Sequence, residues 1–416
     1  MSRETQRKFS TTPGTRDVLP PESTRLLDVQ SRVLERFRMH GFREVVTPAL
    51  EYAEVVDEPM LRDTSFKLFD PDNQTLVLRP EMTTPIARLV VQRLRNSPPP
   101  HKLSYSLPVY RRANVGRGQS AEFHQAGVEV VGSSSPGEDA GAISLLVDAL
   151  ESLGLRAAAD FVLVLGQTAF YEGYLRRHAP GAAPDLLSAL AAKDLVRVDE
   201  VSATLPDEVA AGARGIPRIV GPATDASVLE RAGRYAEPGS DAEGALANLR
   251  EILSHLDAYG RLGAVMLDFG LIGRRNYYTG AVYEVYAAGL GFTVANGGRY
   301  DNLLLRFGEP LPATGFAISL ERLISVLPDE KPPPLLVLVG GSVEAARATA
   351  RLRALDVPVL YLTEDLPQEA ALRYARSVDA AWVCYPAPDG LKLAAANPES
   401  GFELATPESV AVRVLS

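Results

Sequence analysis

Glu81 and Thr83 stand two residues apart in Leu78-Arg-Pro-Glu-Met-Thr-Thr-Pro85. A carboxylate beside a hydroxyl is the right chemistry for an ammonium group, which brings three donors and no acceptor. The plainer alternative is that Glu81 is a helix-start acid favoured by the macrodipole. A second run, Tyr110-Arg-Arg-Ala-Asn-Val-Gly-Arg-Gly-Gln-Ser-Ala-Glu-Phe-His-Gln-Ala-Gly-Val-Glu129, sets Arg111 ahead of Gln125 and Glu129. A third, Leu271-Ile-Gly-Arg-Arg-Asn-Tyr-Tyr-Thr-Gly-Ala-Val-Tyr-Glu284, pairs Tyr277 with Tyr278 and has Gly273 four residues before them. The glycines of Gly297-Gly-Arg-Tyr-Asp301 permit positive φ or close backbone approach. Arg322, at the end of Thr314-Gly-Phe-Ala-Ile-Ser-Leu-Glu-Arg322, reads equally well as a helix-surface charge. The single cysteine, Cys384, excludes an intrachain disulfide and a multi-cysteine metal site, and no metal is expected.

Several elements must position these residues. Apolar spacing from about Pro21 to Met39 (Leu26, Leu27, Val29, Val33, Leu34, Phe37) predicts a helix that Gly41 ends. Glu44 to Leu50 reads as a strand, with Pro48 suited to an edge or a strand end. Thr75–Leu78, Leu103–Leu107, Phe123–Val131 and Val282–Tyr286 are further strands, alternating with helices at about Thr84–Arg95 and Gly137–Leu153. From about Ala157 to Gly263 the pattern turns Ala-, Leu- and acid-rich and reads as an inserted helical subdomain. Leu327-Pro-Asp-Glu-Lys-Pro-Pro-Pro334 is a linker, since consecutive prolines hold an extended spacer. Beyond it, strand and helix alternate in a small α/β domain over 335–416.

At 416 residues, with 46% hydrophobic and 23% charged positions, the chain has the make-up of a soluble globular protein of two or three domains. Its net charge of −9, with no long basic run, argues against non-specific polyanion binding and leaves room for local basic patches. Eight Lys or Arg against ten Asp or Glu from Lys331 to Ser416 leave that domain little for an RNA backbone. The N-terminus lacks the apolar core of a signal peptide, and no apolar run approaches the roughly 18 residues of a membrane span. A reducing cytoplasm, with no membrane and no tRNA among the partners, is the simplest reading.

The three runs resemble the class II histidyl-tRNA synthetases. Leu78–Pro85 is similar to their LRPEGT segment, Tyr110–Glu129 to their second motif, Leu271–Glu284 to their LVRGLDYYTRTVFE signature, and Thr314–Arg322 to their third motif. Gly41–Pro48 is similar to the first motif, which builds the dimer interface there, and Thr12–Pro20 to the opening PxGxxD pattern. The resemblance implies an α+β fold: an antiparallel class II sheet with helices over 1–330, carrying the helical insertion at about 157–263. The 335–416 domain would resemble an anticodon-binding domain.

It also implies site roles. Glu81 and Thr83 would take the amino group of histidine, Arg111 its carboxylate, and Gln125, Glu129, Tyr277 and Tyr278 its ring and main-chain atoms. The positions of three synthetase side chains are degenerate. Gly273 stands where the family has its catalytic arginine, Ala113 where it has a glutamate, and Ala121 where it has a loop arginine. An arginine beside a developing phosphate charge is the kind of donor catalysis most needs. Variation of surface loops is the bland account, above all for Ala121.

A kept amino-acid pocket with depleted ATP and tRNA apparatus resembles the regulatory-subunit family of ATP phosphoribosyltransferase. That resemblance implies a non-catalytic chain without a cofactor, homodimeric within a hetero-oligomer. Its partner would be a short-form catalytic subunit, joining ATP to phosphoribosyl pyrophosphate in the first step of histidine biosynthesis, and histidine would be the feedback effector. An active but divergent synthetase, and a histidine sensor with another partner, stand as alternatives.

Overall fold

In the computed structural model, the described residues are 10–56, 59–112, 120–273, 278–329, 334–396 and 401–415. The chain divides into two compact units, Met1–Leu19 with Arg25–Pro328, and Pro20–Thr24 with Asp329–Ser416. No helix among the described residues is long and apolar enough to cross a membrane.

Short strands β1 (Arg43–Glu44), β2 (Leu50–Tyr52), β3 (Lys67–Phe69) and β4 (Thr75–Leu78) precede the long pair β5 (His101–Tyr110) and β6 (Glu122–Val131). They are followed by β7 (Phe161–Gln167), β8 (Val220–Pro222), β9 (Val265–Asp268), β10 (Ala281–Ala287), β11 (Thr293–Arg299) and β12 (Ala313–Ser319). A nine-stranded sheet runs in the order β1-β5-β6-β12-β11-β10-β7-β9-β8, antiparallel except at β1-β5 and β7-β9. A smaller antiparallel sheet has the order β2-β4-β3. This is the expected α+β class II arrangement.

Alternation along the strands separates two faces. Ala126, Val128 and Val130 on β6, Phe316 and Ile318 on β12, and Tyr283 and Val285 on β10 point into one apolar core. The helices Glu22–Met39, Pro136–Ser152 and Asp241–Ala258 contribute to the same core. The opposite face carries Gln125, Gly127 and Glu129, opposed on β12 by Ser319, Ala317 and Gly315. It is the face that holds the site.

Several elements differ from their sequence reading for physical reasons. The strand expected over Glu44–Leu50 is broken in two: Arg43–Glu44 pairs with β5 and ends after Val45 N–H reaches Ser104 O at 2.8 Å, Leu50 opens β2 against β4, and Pro48, which has no N–H for a ladder, lies between them. Leu27 is exposed, since Val29, Val33 and Phe37 form the buried stripe and Leu27 falls on the far side of the helix. The helix expected at Thr84–Arg95 is α-helical over Thr83–Leu89 and π-helical over Val90–Leu94. The segment 157–263 begins with β7, which pairs with β10 from Phe161 to Gln167, so helices fill it only from Thr168 onward, interrupted by β8. Of the linker, residues 330–333, which include Pro332 and Pro333, lie outside the described residues, and Pro334 is just beyond them.

In the second unit, β13 (Leu336–Val339), β14 (Val359–Leu362), β15 (Trp382–Ala387), β16 (Gly390–Ala395) and β17 (Glu403–Ala405) form a sheet of order β14-β13-β15-β16-β17. Helices Val343–Arg353, Gln368–Ser377 and Pro407–Leu415 accompany it. Cys384 is buried in β15, and burial pushes its thiol up to about 12, so it stays protonated.

Asp148 ties three segments of the first unit together. It accepts from Arg36 Nε at 2.9 Å and Nη2 at 2.7 Å, lies 3.1 Å from His40 Nε2, and pairs with Arg261 at 3.4 Å. Burial pushes its carboxyl up, but the bonds to Arg36 and His40 more than offset this and hold it below the usual range. A depressed carboxyl adds stability above its unfolded pKa and loses it as pH falls through the folded value. Asp148→Asn should therefore cost about 2 kcal/mol at neutral pH, and its deficit should shrink below about pH 4. Urea melts at pH 7 and pH 3 check this; an equal deficit at both would refute it.

Candidate functional site

Gln125, Gly127 and Glu129 alternate along β6 and so project from one face. Gly315 faces Glu129 across the ladder, and a Cβ built there would overlap Glu129 Oε2; the glycine leaves the place that the carboxylate takes. Tyr300, just past β11, donates its hydroxyl to that same oxygen. Beneath them Tyr283 donates to Gly315 O at 3.1 Å. Burial, then the neighbouring Asp139, Tyr278 and Glu129, push its phenol well above the ordinary value, so it stays neutral and a donor.

Glu81 comes in from the other side. Its carboxylate accepts from the backbone N–H groups of Thr83 at 2.7 Å and Thr84 at 3.0 Å, at the start of the helix Thr83–Leu89. Helix-start acid and pocket residue are thus one and the same side chain. Glu81 and Glu129 are each 2% exposed. Glu81, Thr83, Gln125, Glu129 and Tyr278 line a single cavity, with Asn296 and Tyr300 completing its wall. Its volume is only about 20 Å³, so these side chains nearly close it. Arg111 stands outside the lining: its Nε donates to Pro80 O at 2.7 Å and its guanidinium lies 5.3 Å from the Phe123 ring centre. Tyr277 and Ala113 lie outside the described residues.

The two described degenerate positions are both packed. A Cβ built on Gly273 would overlap the ring of Tyr278, which also lies against Gly298. Ala121 is only 2% exposed, its N–H bonded to Gly14 O at 2.7 Å and its carbonyl to Arg111 N at 2.9 Å. Free variation of a surface loop does not describe it. Arg322 turns to the Phe292–Thr293 segment, donating to Thr293 O at 2.9 Å and stacking 5.2 Å from the Phe292 ring centre.

Sequence reasoning misses Tyr300, although it lies within Gly297–Asp301, whose signal is its glycines. It also misses Asn296, whose only signal is alternation with Gly298 along β11. A second cavity, about 420 Å³, lies between Gly154–Arg156, Ala288–Leu290 and Ser325–Pro328. Its charged residues, Arg156 and Asp160, are bonded to each other at 2.9 Å, whereas two buried carboxylates converge on the first cavity. Converging polar groups, not volume, mark a binding site.

A family model described as histidyl-tRNA synthetase matches residues 14–323. The ATP phosphoribosyltransferase regulatory subunit of Rubrobacter xylanophilus is 73% identical over 415 residues, which is 100% of both chains. That of Moorella thermoacetica is 38% identical over 89% of this chain and 97% of its own. Among solved structures, one described as an ATP phosphoribosyltransferase regulatory subunit/histidyl-tRNA synthetase from Bacillus halodurans superposes with a TM-score of 0.82 at 29% identity, over 91% of this chain and 98% of the other. A Nostoc histidyl-tRNA synthetase reaches 0.82 at 21% identity over 98% of each chain, a likeness of fold alone.

Proposed function

The chain belongs to the family of ATP phosphoribosyltransferase regulatory subunits, built on the histidyl-tRNA synthetase fold, and from that premise we propose that it activates a short catalytic subunit and carries histidine feedback to it. The observation that supports this most is the convergence of Glu81 and Thr83 with Gln125, Glu129 and Tyr278 on one cavity. An ammonium fits the first pair, and the Glu129–Tyr300 pair gives an imidazole N–H an acceptor. Arg111, anchored at Pro80 next to Glu81, supplies a cation for the carboxylate at the rim. Tyr277 belongs to the proposed set by resemblance.

The assembly proposed is a homodimer within a hetero-oligomer, located in the cytoplasm and without tRNA. Self-association would run through Gly41–Leu50, where Val46 is 73% exposed and Leu50 45% exposed. Exposed apolar side chains of this kind need a partner to cover them, and a twofold contact is the commonest closure. The catalytic subunit then binds elsewhere, and histidine inhibits by binding the assembled states with different affinities.

The test is to mix the purified chain with a short phosphoribosyltransferase. The chain alone should elute as a dimer and the mixture as a larger complex whose activity rises on mixing and falls with histidine. Glu129→Ala should assemble and activate normally but lose about 2 kcal/mol of histidine affinity, roughly thirtyfold. Separate elution with unchanged activity would refute the regulatory reading; unchanged inhibition in both Glu129→Ala and Glu81→Ala would move the effector site elsewhere.

A further inference from the structure

We propose that Arg88 and Glu51 relay the occupancy of the Glu81 cavity to the surface segment 47–52, so that the histidine signal leaves the site through this buried ion pair. The inference rests on the reading above that histidine occupies the cavity.

Glu81 has two claimants. Its carboxylate lines the cavity and also holds the N–H groups of Thr83 and Thr84 at the start of the helix. An ammonium arriving in the cavity competes with those N–H groups and pulls on the helix start. That helix has a built-in point of give: after Leu89 it runs as a π-helix through Leu94. Such turns are rare, hold one residue more than an α-turn, and are frequent at functional sites.

Arg88 sits at the junction of the two helix types. It donates Nη1 to Gln92 Oε1 inside the π-turn at 3.1 Å, and Nε and Nη2 to Glu51 Oε2 and Oε1 at 2.8 and 2.6 Å. Glu51 is the buried middle residue of β2, between Leu50 and Tyr52, both exposed. A fork-to-fork pair of this kind transmits direction as well as charge, because both partners are planar and bonded twice.

The return path is equally tight. β2 pairs with β4, which ends at Leu78. The next residue, Arg79, donates its N–H to Ala49 O at 2.8 Å and its Nη1 to Thr47 O at 2.7 Å. Residues two before and seven after Glu81 therefore grip 47–51, which overlaps the segment proposed for self-association. A displacement at Glu81 cannot be absorbed locally while both grips hold.

The test uses the full chain and its complex. Glu51→Met with Arg88→Met removes both charges of the forked pair together, so that neither is left without the other, while the buried Arg79 loses the nearby Glu51 charge but keeps its bonds to Thr47 O and Pro108 O. The double variant should bind histidine within about twofold of wild type by calorimetry, yet show at least a fivefold higher half-inhibitory histidine concentration in the complex. Histidine should change amide exchange at 47–52 in the wild type and not in the variant. Gln92→Ala, at an exposed position, loses only the contact to the π-turn and should fall between the two, which keeps the test open if the double variant misfolds. Wild-type binding with equal inhibition and equal exchange changes in all three proteins would overturn the relay alone. A wild type that binds no histidine would overturn the functional reading with it.

Discussion

Asp139→Ala is expected to destabilise the first unit by about 3–5 kcal/mol and to lower its melting temperature by roughly 5 °C or more. Asp139 is fully buried in the first turn of the helix Pro136–Ser152, and Arg299, at the end of β11, donates Nε to it at 2.9 Å. Arg299 also donates to Ser133 O at 3.0 Å and Asp301 Oδ1 at 3.1 Å, so its fork is committed to this one place. Burial pushes the Asp139 carboxyl up against the pull of Arg299, as it must for a charge deep in a protein. Truncating the aspartate leaves a guanidinium buried beside a single partly exposed carboxylate, and that cost exceeds the net worth of the intact pair. Asp139→Asn keeps an acceptor and should lose less. Thermal and urea melts of both variants decide the matter: an Asp139→Ala melting point within 2 °C of wild type, on the order of the shift from 1 kcal/mol, would show that the pair is replaceable. The consequence reaches the cavity, because Arg299 lies next to Tyr300 in the chain and its carbonyl accepts from Thr279 N at 2.8 Å, beside Tyr278.

That pair illustrates where the sequence is legible and where it is not. Glu81 and Thr83 could be picked out because a carboxylate and a hydroxyl stand two residues apart, and Gln125 and Glu129 because their run resembles the second synthetase motif. The structure then sets these groups around one cavity. Asp139 and Arg299 are 160 residues apart, and no local periodicity links a first-turn acid to a strand-end arginine. The same holds for Tyr300 and Glu129, 171 apart. Ala121 reads as free loop variation until Gly14 is seen to cover it. The strand beginning the supposed helical insertion, Phe161–Gln167, is an apolar run whose partner β10 lies more than a hundred residues on, so composition alone could not separate it from the helices that follow. The π-helical end at Val90–Leu94 follows from no local propensity, and Val90 is buried there in the cluster with Leu103 and Tyr105.

Gly273→Arg is expected to leave histidine-dependent ATP–pyrophosphate exchange at background and to weaken histidine binding by roughly tenfold or more. Restoring the residue that the synthetase signature carries looks like a repair, but the surroundings have closed over the gap. A Cβ at 273 would overlap the Tyr278 ring, whose other edge packs so closely on the Gly298 backbone that a Cβ there would stand only 2.7 Å from it. Tyr278 lines the cavity, so any shift that admits the arginine changes the cavity wall. Forcing a side chain into a filled space costs about 1–3 kcal/mol, enough for the predicted loss of affinity. The chemistry stays out of reach as well: Ala113 and Ala121 still lack the side chains that the resemblance assigns to nucleotide handling, and an arginine at 121 would have to enter a buried position held between Gly14 and Arg111. Pyrophosphate exchange on protein freed of the host synthetase, with calorimetry in parallel, separates the two claims. Exchange above background would revive the synthetase reading, while unaltered histidine affinity would mean that Tyr278 moves aside without consequence for the cavity it lines.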